Sequence, residues 1–177
     1  MWIHYASDKF ELDKKRQYEQ EVGNKPKGLW FSPHDVPDNW RLYCEENWEE
    51  GLAPEMYEVV FNTGEQQPRF LYITSPQELI AFNDKYKCNV APGSEKIPFF
   101  WENQIDWPTV CKAYDGLVIV PYIHELRLAM SWYYGFDCAC GVIWNAACIQ
   151  ELKHIHTGVR RRSSSNLLEL LRQATQS

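Results

Sequence analysis

The stretch that most constrains this chain is Lys27-Gly28-Leu29-Trp30-Phe31-Ser32, followed across a proline-containing loop by Asn39-Trp40-Arg41-Leu42-Tyr43-Cys44. A short apolar run introduced by Pro26 and Gly28 reads as a buried strand. The residues after it read as a helix from Trp40 to Glu50. Trp40, Tyr43, Cys44 and Trp48 fall at i, i+3, i+4 and i+8, on one face, and Gly51 is placed to end it. A strand that opens through a loop into an aromatic helix is suited to line a cleft, with flat ring faces for a planar ligand. The plain alternative is that Leu29, Trp30 and Phe31 are core.

The rest of the chain supplies alternating elements. Met1 to Ala6 reads as a first strand with His4 near its end, and Ser7-Asp8 as a cap or turn before a helix-compatible segment from Asp8 to Val22. Gly23 to Pro26 is a turn. Met56 to Asn62 and Phe70 to Thr74 read as strands joined as a hairpin by Thr63 to Arg69. Ser75-Pro76-Gln77-Glu78 starts a helix that runs to about Tyr86, with a Ser cap, Pro in the first turn and a capping box. Lys87 to Pro98 reads as a loop and Trp107 to Lys112 as a short helix. Leu117 to Val120 and Gly141 to Trp144 read as strands, and Ala146 to His156 as a strand edge or a covering helix. Asn166 to Ala174 reads as a short amphipathic helix behind a basic, serine-rich linker. The expectation is an α+β fold with a mixed, mainly antiparallel split sheet and flanking helices. Residues 1–158 form one domain and residues 159–177 the linker and last helix.

At 177 residues the chain is long enough for a core without covalent staples. Aromatics at 15% leave ring area for both a core and a cleft. The net charge of −6 argues against a general nucleic-acid-binding surface, although Arg160-Arg161-Arg162 keeps a local basic patch open, or else a solvated linker. The six cysteines follow no signal-peptide pattern, so free thiols in a reducing, cytoplasmic setting are expected. No apolar run has transmembrane length, and no membrane association is expected.

Three chemistries suit the residue types. Zinc ligation by Cys138 and Cys140 with His124, His154 and His156 lacks the Cys-x2-Cys spacing of common sites, and no metal is expected. A thiol nucleophile at Cys138 or Cys140 with His4 or His124 lacks a surrounding motif. Phosphate binding by a glycine-rich loop has no matching sequence. What remains is a set of aromatic and histidine residues on or beside strands: His4, Trp30 with Tyr43, and the late strand near Cys140.

Those segments, in that order, resemble the ADP-ribosyltransferase superfamily, on the side of the poly(ADP-ribose) polymerases and diphtheria-type toxins. Trp2-Ile3-His4-Tyr5-Ala6-Ser7 is similar to the family's first cleft strand, Leu-Trp-His-Gly-Ser. Lys27 to Ser32 with Arg41-Leu42-Tyr43-Cys44 is similar to its Lys-Gly-Ile-Tyr-Phe-Ala strand and the helix carrying Asn-Tyr-Cys. Cys140-Gly141-Val142-Ile143-Trp144-Asn145 stands where the family has Glu-Tyr-Ile-Val-Tyr-Asp.

The resemblance implies NAD as co-substrate and transfer of ADP-ribose to a protein or nucleic-acid acceptor, with release of nicotinamide. It implies that His4 bonds the adenosine-side ribose, that Trp30 and Tyr43 sandwich the nicotinamide, and that the backbone of Tyr5 receives the carboxamide. The family's catalytic glutamate falls at Cys140; the nearest acid is Asp137, and Glu125 is a second candidate. Without that glutamate, mono-transfer is expected rather than polymer elongation. The other outcome is an inactive module that binds NAD or ADP-ribose or a partner protein. Trp40 stands where a nicotinamide-binding serine is expected, and Ser32 can replace that serine only in a rearranged pocket. Trp132-Tyr133-Tyr134 reads as an acceptor-recognition loop or a core plug. By analogy of fold, a transferase this small would suit a toxin or phage–host conflict role.

Overall fold

The computed structural model describes residues 1–48, 53–89 and 103–155. Gly51, His156, the arginine cluster and the expected C-terminal helix lie outside the described residues. The fold is α+β. Among the described residues, ten strands run in chain order: β1 (Trp2–Ala6), β2 (Val22–Gly23), β3 (Leu29–Pro33), β4 (Glu55–Phe61), β5 (Phe70–Ile73), β6 (Lys87–Asn89), β7 (Asn103–Asp106), β8 (Gly116–Ile119), β9 (Cys140–Ile143) and β10 (Ile149–Ile155). The α-helices among the described residues are α1 (Trp40–Asn47), α2 (Pro76–Tyr86) and α3 (Trp107–Ala113).

Seven strands form one mixed sheet in the order β10-β4-β1-β3-β9-β8-β5, and β2-β7-β6 form a small antiparallel sheet. All pairs in the large sheet are antiparallel except β5 with β8. The join between β1 and β3 is short. Their register covers only Trp2↔Pro33 and Ile3↔Ser32, whereas β1 continues along β4 to Ala6↔Glu55. The sheet therefore splits beyond Ile3.

Apolar alternation buries both faces of the sheet. Leu117 and Ile119 of β8 and Val142 of β9 join the core under α2 and α3, with Leu79, Phe82, Trp107 and Val110. Leu29, Phe31, Val118 and Ile143 pack on the opposite face with Val59 and Ile149. Close approach fixes two glycines. A side chain at Gly28 would fall 2.6 Å from the Ile143 carbonyl oxygen, and one at Gly141 would overlap the Phe31 ring.

Helix α1 starts at Trp40 as expected but stops at Asn47, short of the expected Glu50, because Trp48 is already extended. Asn39, a cap that the sequence reading did not single out, holds its start through Oδ1, which accepts from the Leu42 N–H at 3.0 Å. The expected start of α2 is met in detail. Ser75 caps α2 by accepting from the Glu78 N–H. The Glu78 carboxylate reaches back one residue further than a capping box requires, accepting from the Thr74 N–H at 2.7 Å and its hydroxyl at 2.9 Å.

Others are overturned. Residues 8–22 hold no helix. Their apolar side chains serve different places: Phe10 packs edge-on against His4 and Tyr57, Leu12 joins one core and Tyr18 the other. One helical face cannot reach both sides of a sheet. The hairpin between β4 and β5 does not form either, because the two strands sit in different halves of the sheet. After Phe70 the chain crosses through α2 and α3 before β8, and such a crossover is what a parallel pair requires. Lys87 to Asn89 forms a strand rather than loop, and the described part of the segment from Ala146 resolves into a 3-10 turn (Ala146–Cys148) followed by β10.

Asp115 anchors that crossover. Its carboxylate accepts from the Arg69 backbone N–H at 3.0 Å, the Arg69 Nε at 2.9 Å and Nη2 at 3.1 Å, and from Asn145 Nδ2 at 3.0 Å. Burial alone pushes this carboxyl up, but the hydrogen bonds from Arg69 and Asn145 outweigh it and bring the pKa to about 2. A folded-state pKa below the unfolded value stabilises above pH 4, and the contribution is lost as pH falls from about 4 to about 2. Asp115→Asn is expected to cost about 2 kcal/mol at pH 7, roughly 4–8 °C in Tm. Thermal unfolding at pH 7, 4 and 2 checks this, because the variant should also lose less stability than the wild type between pH 4 and 2.

Candidate functional site

The candidate site lies where β1 and β3 part. At the split, the His4 ring takes over from the backbone ladder: its Nδ1 lies 2.6 Å from the Trp30 carbonyl oxygen. A carbonyl only accepts, so Nδ1 carries the proton and Nε2 keeps a lone pair. Burial lowers the His4 pKa, with the Trp30 hydrogen bond opposing it in part. His4 is thus a neutral imidazole that presents an acceptor.

A cavity of about 290 Å³ opens beside it. Of the predicted site residues, His4, Tyr5, Trp30, Ser32, Asp137 and Cys140 all line this one cavity. They come from β1, β3, β9 and the turn before β9, up to 136 positions apart. Tyr5 is pushed up to about 12 by burial, against a smaller downward pull from Arg41, so its phenol stays protonated.

Ser32 lines the cavity with its hydroxyl already engaged. Oγ donates to the Ala139 carbonyl at 2.8 Å and accepts from the Trp40 N–H at 2.9 Å. This hydroxyl joins β3, the approach to β9 and the first turn of α1, so its role is to hold three walls together rather than to donate to a ligand.

The expected ring pair is also modified. Tyr43 is not part of the lining; it stacks on Trp40 at 5.6 Å with planes 25° apart, and Trp40 faces the cavity. The hydroxyl of Tyr43 lies by Asp137. Its pKa is raised by burial first, then by the charge of the Asp137 carboxylate and a hydrogen bond to it. Trp30, across the cavity, packs edge-on against Phe136 at 5.3 Å.

Asp137 is the carboxylate that lines the cavity. Its Oδ1 lies 3.5 Å from Arg127 Nη2, and the Arg127 guanidinium sits 5.1 Å from the Tyr134 ring centre. Glu125, the other candidate acid, is exposed on the 3-10 turn His124–Leu126 and does not line the cavity. Cys140 opens β9 as expected, buried beside Cys138. All six cysteines are free thiols. A hydrogen bond with Cys140 and burial raise Cys138 far above the ordinary thiol range, which removes it as a thiolate nucleophile.

Among the described residues, no three His, Cys, Asp or Glu side chains gather as a metal group, and His154 bonds Glu55 at 2.5 Å. Trp132 and Tyr133 are fully buried and act as the core plug, while Tyr134 stays half-buried at the surface. A second hollow, of about 380 Å³, is lined by Arg69, Asp115 and Asn145, but both Asp115 oxygens are taken up by those neighbours.

Sequence reasoning missed Lys25, Phe136 and Gly135 as wall residues. Lys25 sits in a polar turn with no motif around it. Phe136 and Gly135 directly precede Asp137, so proximity to a candidate acid was the available signal.

No family model, no curated protein and no solved structure matches this chain. Among the described residues, no helix is long and apolar enough to cross a membrane.

Ser32→Ala leaves the part-buried Trp40 N–H and the buried Ala139 carbonyl without this partner. The expected loss is about 2 kcal/mol in urea unfolding, with the denaturant slope unchanged.

Proposed function

We propose that this chain is an NAD-dependent mono-ADP-ribosyltransferase. The observation that carries the reading is the convergence of His4, Trp30 and Asp137, from three remote segments, on one cavity at the split of the sheet. The cavity, about 290 Å³, is near the lower bound of ligand clefts, roughly 300 Å³. It suits the nicotinamide–ribose half of the dinucleotide, and the remainder would extend from the mouth.

The chemistry of the lining fits that fragment. Rings of Trp30 and Trp40, the latter backed by Tyr43, give a planar heterocycle apolar surfaces. The unprotonated Nε2 of His4, a wall residue of this cavity, accepts from a hydroxyl of the nicotinamide-side ribose in this reading, in place of the adenosine-side ribose that the resemblance implied. In the reaction the C1–N glycosidic bond breaks and its electron pair goes to the nicotinamide nitrogen, which leaves neutral. The acceptor's nucleophile bonds to C1 and loses a proton. In this reading the Asp137 carboxylate, the acid in the cavity lining, stabilises the oxocarbenium-like sugar or takes that proton. A mostly apolar wall strengthens such an interaction by excluding water. The acceptor is a protein or a nucleic acid, and a cytoplasmic setting, with its NAD pool, agrees with six free thiols.

One observation favours a second reading, a binding module without turnover. Cys140 occupies the start of β9 where the family's glutamate is expected, and Asp137 is held by Arg127 in the preceding turn.

Nicotinamide release from NAD, with and without cell lysate as acceptor source, separates the two. His4→Ala and Asp137→Asn are each expected to lower release by about 100-fold. Stabilisation of the wild type by NAD without release would support the binding module; neither effect would remove both readings. Because the His4 pKa is lowered and the acceptor form is the neutral one, release should hold at neutral pH. It should fall as pH drops through the lowered pKa, below 6.5.

A further inference from the structure

The cavity has one charged wall residue that the proposed chemistry leaves unused, Lys25. Its ammonium lies 5.4 Å from the Trp30 ring centre and 5.8 Å from that of Phe136. Among the described residues it makes no ion pair. The cavity's own acid does not neutralise it, because Asp137 is held by Arg127. A cation kept beside a largely apolar cavity without a carboxylate partner is set to receive an anion from outside the protein.

The position is also built. Gln20 closes the Lys25 turn, donating to the Lys27 carbonyl at 2.6 Å and accepting from its N–H at 3.0 Å. Trp107 Nε1 donates to the Gly23 carbonyl at 3.0 Å, and β2 pairs with β7. Gly135, also on the cavity wall, leaves room for the lysine stem: a side chain there would fall 2.9 Å from Lys25 Cε.

We infer that Lys25 binds the diphosphate of the dinucleotide at the cavity mouth. The inference rests on the transferase reading in one respect: a cavity filled by the nicotinamide–ribose half leaves the diphosphate to emerge at its mouth, where Lys25 stands. The three wall residues around it then have separate tasks. Trp30 supplies the ring surface, Lys25 the charge, and Gly135 the space for its stem.

The test uses the full chain with Lys25→Gln, which keeps much of the stem, and Lys25→Arg, which keeps the charge. Lys25 is exposed, so both variants should unfold at the wild-type temperature. Nicotinamide release is measured against NAD and against nicotinamide riboside, which has the same glycosidic bond and no diphosphate. The expected result is a KM for NAD raised about 10-fold in Lys25→Gln, with kcat nearly unchanged. Lys25→Arg should restore KM, and nicotinamide riboside should show no difference between the proteins. An unchanged KM for NAD, an equal loss with nicotinamide riboside, or a change confined to the KM for the acceptor would each overturn the assignment.

Thermal shift with ADP-ribose keeps the two proposals apart. If the wild type releases no nicotinamide but ADP-ribose stabilises it and not Lys25→Gln, the transferase reading fails and the Lys25 site stands. If ADP-ribose does not stabilise the wild type, the Lys25 site fails too.

Discussion

The structure depends on an interrupted ladder. β1 and β3 share two residue pairs and then separate, and the gap is bridged by a side chain, the His4 imidazole on the Trp30 carbonyl. A backbone carbonyl at a sheet opening needs a donor, and His4 supplies it while leaving its second nitrogen toward ligand chemistry. The same contact sets the tautomer. With burial lowering its pKa, the ring is neutral, so one hydrogen bond links the architecture of the sheet to the chemistry of the cleft.

The walls are then held by a small number of shared polar groups. Ser32 Oγ ties β3 to the approach to β9 and to the first turn of α1. The Asn39 side chain accepts from the Leu42 N–H and donates to the His34 and Val36 carbonyls. These groups are satisfied by one another, which ties the loop after β3 and the first turn of α1 to the cleft wall. Charge is distributed with equal economy. Asp137 is held by Arg127, and Lys25 rests on two aromatic rings. The two opposite charges of the cavity thus stay apart within a common, mostly apolar wall.

Much of the fold was legible locally. The Ser75–Pro76–Glu78 helix start, the spacing of Trp40 and Tyr43 and the apolar run Leu117 to Val120 each carry their own hydrogen-bonding or packing logic, and each became the expected element. Errors arose where a local pattern had two uses. Phe10, Leu12 and Tyr18 are compatible with a helix, yet they belong to different packing environments. β4 and β5 are good strands with a plausible turn, yet Asp115 recruits Arg69 to the far side of the sheet. For the cavity, six predicted residues are lining residues, while Tyr43 backs Trp40 and Ser32 has a structural hydroxyl.

The sequence by itself determined the α+β class, the elements with strong local signals, such as the capped helix from Pro76 and the strand at Leu117, and the residues able to do chemistry, because propensity, capping and periodicity act over a few neighbouring positions. Only the tertiary structure decided which strands pair, where the sheet splits, which acid reaches the cavity and that Lys25 joins its wall. Those outcomes depend on contacts between residues such as His4 and Trp30, Arg69 and Asp115, or Lys25 and Phe136. Their separations leave no periodic trace in the chain, so packing alone brings them together.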